Sequence, residues 1–200
     1  MDNHSHRDAC PLCGQNRRIR QCTCQYNWQF PFESIYSIFD FDETIKGITH
    51  HFKYMGLKQV AFDMGKTYAH CVPLAFFESM DVIAVVPLFF FRKMKRGYNQ
   101  AEHFARGIAA GAIGQKFLFL PDVLVRKRPT KTQTKLSRKR RQTNVEGAFG
   151  IPPKKRDLVR NKNIILVDDI VTTAATTREC AKALLAAGAG KVRVLSLARD

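Results

Sequence analysis

The stretch Ile164-Ile165-Leu166-Val167-Asp168-Asp169-Ile170-Val171-Thr172-Thr173-Ala174-Ala175-Thr176-Thr177 decides how the rest of the chain is read. The unbroken apolar run Ile164 to Val167 predicts a strand buried on both faces, as in a parallel sheet. Adjacent carboxylates, Asp168 and Asp169, close it. The chain then turns through hydroxylated and small residues into an Ala-rich helix, Ala175 to Ala187, stopped by Gly188. In open α/β sheets, ligands bind beyond the carboxyl ends of the strands. A small-residue turn lets backbone N–H groups approach a phosphate, threonine hydroxyls add donors, and the helix N-terminus brings a favourable dipole. Carboxylates beside such a turn accept from sugar hydroxyls, directly or through Mg²⁺. The combination fits a sugar phosphate better than a bare phosphate. A plainer reading makes the Asp pair a strand-end turn and Thr172 or Thr173 a helix N-cap. It explains one Asp and one Thr, and leaves the second charge and the other threonines without a reason.

Outward from this core, strands and helices alternate. Asp81 to Pro87 is a continuous apolar strand, Asn99 to Ala112 a helix, Asp122 to Arg126 a short strand and Lys191 to Leu197 a last strand. Nearer the N-terminus, Ile35 to Phe41 reads as a strand. Asp42 then caps a helix over Glu43 to Tyr54, and Gly56 separates it from a second, Lys58 to about His70. Apolar strands separated by helices predict the α/β class, a parallel sheet flanked by helices.

At 200 residues the chain is long enough to bury a core, and 45% hydrophobic with 25% charged residues excludes a disordered tail. The longest apolar run, Val82 to Phe91, is half of the roughly 20 residues a membrane span needs, so no transmembrane helix is expected. Met1 to Arg7 has no apolar segment behind its charges, which argues against a secretory signal and for a cytoplasmic address.

The charge is uneven. The net charge is +16 overall, yet residues 1–91 carry 8 basic against 9 acidic side chains, whereas 92–200 carry 25 against 8. Residues 126–162 alone hold 14 basic and 2 acidic side chains. Such a segment attracts polyanions over a Debye length of about 8 to 10 Å, so phosphate or nucleic acid is the expected partner class. Taken by itself, a charge run is more often a solvated loop.

Cysteine use separates residues 1–30 from 31–200. Cys10, Cys13, Cys22 and Cys24 cluster ahead of the α/β domain, while Cys71 and Cys180 sit alone in apolar surroundings and read as buried small hydrophobes. In a reducing compartment clustered thiols predict a structural Zn²⁺ knuckle rather than disulfides. The C-x-C spacing of Cys22 and Cys24 is unusual for zinc, and His4 or His6 is an alternative ligand. Chance clustering is the competing reading.

Segment 164–176 resembles the phosphoribosyl pyrophosphate (PRPP) signature of type I phosphoribosyltransferases: apolar strand, Asp-Asp, two apolar residues, Thr-Thr-small-Ala-Thr. Arg96-Gly97-Tyr98-Asn99-Gln100-Ala101-Glu102 and the stretch from Gln133 to Phe149 resemble the ComF family of competence-associated, phosphoribosyltransferase-like proteins. The plan of a cysteine knuckle ahead of such a domain resembles that family too. The resemblance covers essentially the whole chain. It implies a type I phosphoribosyltransferase-like sheet in which Asp168 and Asp169 hold the ribose hydroxyls of PRPP-Mg²⁺. Thr172, Thr173, Ala174, Ala175 and Thr176 then cradle the 5′-phosphate. It implies further that Arg92 and Lys93 follow Pro87 in a pyrophosphate-binding loop, and that residues 126–149 form a hood bringing Gln133 and Arg138 to the reacting centre. Ala174 stands where the signature usually has Gly, and no His follows Pro87-Leu88, where Phe89 to Phe91 stand instead. Two functions stay open: a phosphoribosyltransferase of unidentified acceptor linked to DNA uptake, or a non-catalytic competence factor carrying single-stranded DNA on its basic surface. PRPP or another sugar phosphate, single-stranded DNA and competence proteins are the expected partners.

Overall fold

Residues of the apolar strands are buried on both sides, so helices must cover both faces of the sheet. The computed structural model describes residues 30–54, 58–88, 97–128 and 144–199, together with Cys10. Along the chain run β1 (Ser34–Asp40), α1 (Glu43–Tyr54), α2 (Lys58–Tyr68), a 3-10 turn (Ala69–Cys71), α3 (Leu74–Phe77) and β2 (Val82–Val85). They are followed by α4 (Gln100–Gly111), β3 (Leu118–Leu120), β4 (Val125–Arg126), β5 (Phe149–Gly150), a 3-10 helix (Pro153–Leu158), β6 (Ile164–Val171), α5 (Ala175–Ala186) and β7 (Val192–Arg199).

The sheet has the order β1-β7-β6-β2-β3 with every neighbouring pair parallel. On one face Val82, Ala84, Ile164, Leu166, Val192 and Val194 pack with Cys180, Ala181 and Leu184 of α5. On the other, Ile83, Val85, Ile165, Val167 and Leu195 pack with Phe104, Ala105 and Ile108 of α4. Each of the Val, Leu, Ile and Phe side chains among these contributes about 1.5 to 3 kcal/mol by leaving water. The antiparallel ribbon β4–β5 lies on the α5 side, where Val123, Leu124, Val145, Ala148 and Phe149 join the first cluster.

Two features aim the ends of the elements. From β2 the chain goes outward to β3, while from β6 it goes the opposite way to β7, so the topological switch point lies between β2 and β6. Crevices of this kind are where open α/β sheets bind ligands. Helices α2 and α4 run side by side in the same direction: Gly65 faces Phe104 and Gly107, while Gly111 faces Lys66 and Ala69. A Cβ on Gly107 would enter the Phe62 carbonyl and one on Gly65 the Phe104 carbonyl, so only glycine permits this approach.

Most predicted elements are present, with differences. Strand β6 continues through Asp168 and Asp169 to Val171, four residues beyond the expected end, because β7 goes on pairing with it: Asp168 faces Ser196, Ile170 faces Ala198 and Val171 faces Arg199. The strand expected over 122–126 is only Val125–Arg126, since Val123 and Leu124 are buried in the core instead. Cys180 is fully buried as expected, but Cys71 is only half-buried and its carbonyl accepts the Tyr36 hydroxyl at 2.7 Å. Among the described residues no helix is long and apolar enough to cross a membrane.

Candidate functional site

At the carboxyl end of β6 the chain rises as Asp168-Asp169-Ile170-Val171, turns over Thr172 to Ala174 and enters α5 at Ala175. Asp168, Ile170 to Thr173 and Ala174 to Thr177 line a half-open cavity of about 30 Å³. Adjacent carboxylates of like charge repel each other. Because they lie within β6, successive side chains leave on opposite faces, which moves the charges apart. Each also meets a backbone donor: the Asp169 N–H donates to Asp168 Oδ1 at 2.9 Å and the Ile170 N–H to Asp169 Oδ1 at 2.8 Å.

The turn does not use its threonines as helix caps. Ala174 is the N-cap of α5 and supplies no side-chain hydrogen bond. Thr177, almost fully buried, donates its hydroxyl back to the Ala174 carbonyl at 3.1 Å, and Thr172, Thr173 and Thr176 are half-buried along the cavity. The positive end of α5 is thus left to whatever enters the cavity. Ala174 sits at φ +55°, ψ +12°, the left-handed region that glycine occupies without strain and that costs an alanine about 1 to 2 kcal/mol.

Across the switch point, the Val86 N–H donates to the Val167 carbonyl at 2.9 Å, which continues the β2–β6 register one residue past Val85 opposite Val167. The Val86 carbonyl in turn accepts from Asn99 Nδ2 at 3.1 Å, while Asn99 Oδ1 caps α4 by accepting the Ala101 N–H at 3.2 Å. One side chain therefore fixes the start of α4 to the end of β2. Tyr98 is buried against His103, ring centroids 5.6 Å apart, with the Lys58 ammonium 5.3 Å from its ring. Burial lowers the pKa of His103, with Lys58 and Arg106 acting in the same direction against Glu102.

The basic segment is held at its root. The Lys127 N–H donates to the Ala148 carbonyl at 2.8 Å, Arg128 donates to the Glu146 carbonyl at 2.6 Å, and the Gly147 N–H donates to Glu179 Oε2 of α5 at 2.9 Å. Arg126 lies with its guanidinium 5.2 Å from the Phe149 ring. Burial pushes the Cys180 thiol well up; Asp168 adds to this and Arg126 opposes it. Asn99 and Glu179 were not singled out as site residues in the sequence. An Asn directly before a helical pattern was the available signal for the first, whereas the second depends on a contact 32 residues away.

Of the residues assigned by sequence, Asp168, Thr172, Thr173, Ala174, Ala175 and Thr176 line one cavity, while Asp169, next to Asp168 in β6, is not among its lining residues. Arg92, Lys93, Gln133 and Arg138 lie outside the described residues, as do Cys13, Cys22, Cys24, His4 and His6. Cys10 is buried. Among the described residues no group of three or more His, Cys, Asp or Glu side chains is placed to hold a metal. Mg²⁺ commonly takes one or two carboxylates and completes its shell with water and substrate phosphates, and Asp168 with Asp169 suits that smaller share.

A parallel five-stranded sheet with its strand-to-turn-to-helix site at the switch point is the architecture of a type I phosphoribosyltransferase-like protein. The family model described as "Phosphoribosyl transferase domain" matches residues 71–200, and the chain belongs to that family. Its relatives bear out the ComF resemblance. Competence protein F of Haemophilus influenzae is 34% identical over 122 residues, 60% of this chain and 50% of that protein, so this chain spans about half of that relative's length. The DNA utilization protein YhgH of Escherichia coli K12 is 26% identical over 95% of this chain and 83% of that protein; the YhgH of Salmonella typhimurium is 28% identical with the same coverage. A solved structure of the allosteric regulatory enzyme of purine biosynthesis is 22% identical with a TM-score of 0.44, over 70% of this chain and 26% of that one, a likeness too slight to add to the topology.

Proposed function

We propose that the protein binds PRPP with Mg²⁺ at the β6–α5 turn and transfers its phosphoribosyl group to a nitrogen acceptor in the handling of DNA during uptake. The observation that carries this is the uncapped start of α5 lining one cavity with Asp168, with Asp169 next to it in β6, which supports a 5′-phosphate and a ribose bound side by side. The phosphate is held by the first-turn N–H groups of α5 and the hydroxyls of Thr172, Thr173 and Thr176, the ribose hydroxyls by the two carboxylates. Mg²⁺, arriving on PRPP, supplies charge neutralisation of the pyrophosphate.

In the reaction class this site suits, the acceptor nitrogen forms a bond to ribose C1 as the bond from C1 to the pyrophosphate oxygen breaks. The electron pair leaves with pyrophosphate and the nitrogen gives up a proton. What the chain must provide is positioning, cations at the leaving group and exclusion of water. Arg92 and Lys93 after Pro87, and Gln133 and Arg138 of the hood, are assigned to those tasks. Calorimetric titration of PRPP in the presence of Mg²⁺ tests the proposal: saturable binding supports it, and absence of binding removes it.

A second reading has its own observation, the 25 basic against 8 acidic residues over 92–200. In it the protein carries single-stranded nucleic acid without turning PRPP over, in keeping with relatives named for competence and DNA utilization. Oligonucleotide affinity that falls steeply with salt is required of it.

A further inference from the structure

Helix α4 opens on two side-chain amides in opposite circumstances. Asn99 uses both of its polar atoms, donating to the Val86 carbonyl at 3.1 Å and accepting from the Ala101 N–H at 3.2 Å. Gln100, the first residue of the helix, is 2% exposed, and among the described residues neither its Oε1 nor its Nε2 meets a hydrogen-bond partner. Burying an amide in this way is costly, because both atoms leave water without replacement, whereas a leucine or methionine of similar size carries no such cost. The fold supplies no partner for this amide, so the partner is a group that comes to it.

The place of Gln100 narrows what that group is. The bond from Asn99 to Val86 puts the start of α4 at the carboxyl end of β2, and β2 runs parallel to β6 with Val85 opposite Val167. Gln100 therefore stands at the end of the sheet where β6 leads into α5. Its neighbour Ala101 packs with Ile165 and Val167, on the α4 side. Strand alternation carries that side on from Val167 to Asp169, while Asp168 follows Leu166 on the α5 side, in agreement with a cavity that Asp168 lines and Asp169 does not. Gln100 and Asp169 thus share the α4 side of the switch point, and neither lines the cavity of 168–177.

A group that completes this amide must offer an acceptor to Nε2 and a donor to Oε1. Phosphate oxygens by themselves only accept. Mg²⁺ keeps several of its waters when it binds phosphates, so a magnesium-bound pyrophosphate brings donors as well. We propose that Gln100 receives the Mg²⁺-pyrophosphate arm of PRPP, its Nε2 donating to a phosphate oxygen and its Oε1 accepting from a metal-bound water. The inference rests on the PRPP reading above and extends that site from the α5 side of the sheet to the α4 side. Staggered rotation about the glutamine side-chain torsions brings the amide out of its buried position without movement of α4.

The test is calorimetric titration of two probes, PRPP with Mg²⁺ and ribose 5-phosphate, which lacks the pyrophosphate arm. They are titrated into the full chain and into Gln100→Leu, with Gln100→Met as a second apolar replacement. Ligand-free melting should stay as in the parent or rise, since the change removes an unpaired amide. PRPP affinity should fall about tenfold, the worth of one hydrogen bond to a charged group, while ribose 5-phosphate affinity stays. The gap between parent and variant should narrow when Mg²⁺ is left out. A lower melting temperature in both variants overturns the proposal, because the amide would then be bonded inside the protein. Unchanged PRPP affinity overturns it too, as does a gap that persists in full without Mg²⁺ or an equal loss for ribose 5-phosphate. A parent that binds neither probe removes the PRPP reading and this assignment together, whereas a parent that binds both, with variants that bind PRPP equally well, removes the assignment alone.

Discussion

The backbone N–H of Gly147 donates to the Glu179 carboxylate at 2.9 Å, and this bond fastens the far root of the basic hood to the same helix whose first turn faces the candidate phosphate site. Glu179 is nearly buried and also accepts from Lys182 at 2.7 Å. Burial alone would raise its pKa, but the bonds from Lys182 and Gly147 outweigh that and hold it below its ordinary 4.5.

A carboxylate with a depressed folded-state pKa stabilises the fold above its unfolded value and loses that contribution as pH falls through the folded value. Stability from Glu179 should therefore be complete above about pH 4.5 and decline below it. Glu179→Ala should cost about 1 to 3 kcal/mol, leave the Gly147 amide without its acceptor and flatten the acid limb of the stability curve. Denaturant melts at several pH values, with hydrogen exchange at Gly147, check both parts. An unchanged acid limb would mean the bond does not hold the root.

Ala174 should respond in the opposite direction. At φ +55° its methyl is a cost that glycine lacks. Ala174→Gly should raise stability by about 1 kcal/mol, or a melting temperature higher by roughly 2 to 4 °C for a chain of this size. If the same methyl crowds the phosphate, PRPP affinity should rise as well. A lower melting temperature would contradict the left-handed turn.

Asn99 holds two contacts that can be separated. Asn99→Ala should lose the helix cap and the bond to Val86, about 1 to 2 kcal/mol, whereas Asn99→Asp keeps the acceptor for Ala101 and loses only the donor to Val86. Urea unfolding should rank the Asp variant between the parent and Ala. Equal losses in both variants would assign the whole effect to Val86.

The N-terminal cysteines make a compositional prediction. Purified protein should carry one zinc per chain by elemental analysis, and Cys10→Ser with Cys13→Ser should lose it. Zinc content that is unchanged, or never present, would return these thiols to chance clustering.

What could be read without coordinates follows from how local each signal is. The strand at Ile164, the helix at Ala175 and the cap at Asn99 are written in short runs of residue type, and the fold class follows from their alternation. Strand order is not, because Val85 opposite Val167 is a pairing between distant segments. Nor was the length of β6: Asp-Asp has poor strand propensity, and only pairing with β7 carries the ladder through it. Strand β3 escaped notice because it is a three-residue edge strand with Leu118 exposed. The site was legible as a motif. Its missing threonine cap required the fold.

The central claim is that Asp168 and Asp169 beside the start of α5 form a ribose phosphate site. Calorimetric titration of PRPP with Mg²⁺ into the parent and into Asp168→Asn, Asp169→Asn tests it most directly. Saturable binding near one molecule per chain is expected in the parent and its loss in the variant, with melting of the variant unchanged. Binding retained by a folded variant, or absent from the parent, would contradict it.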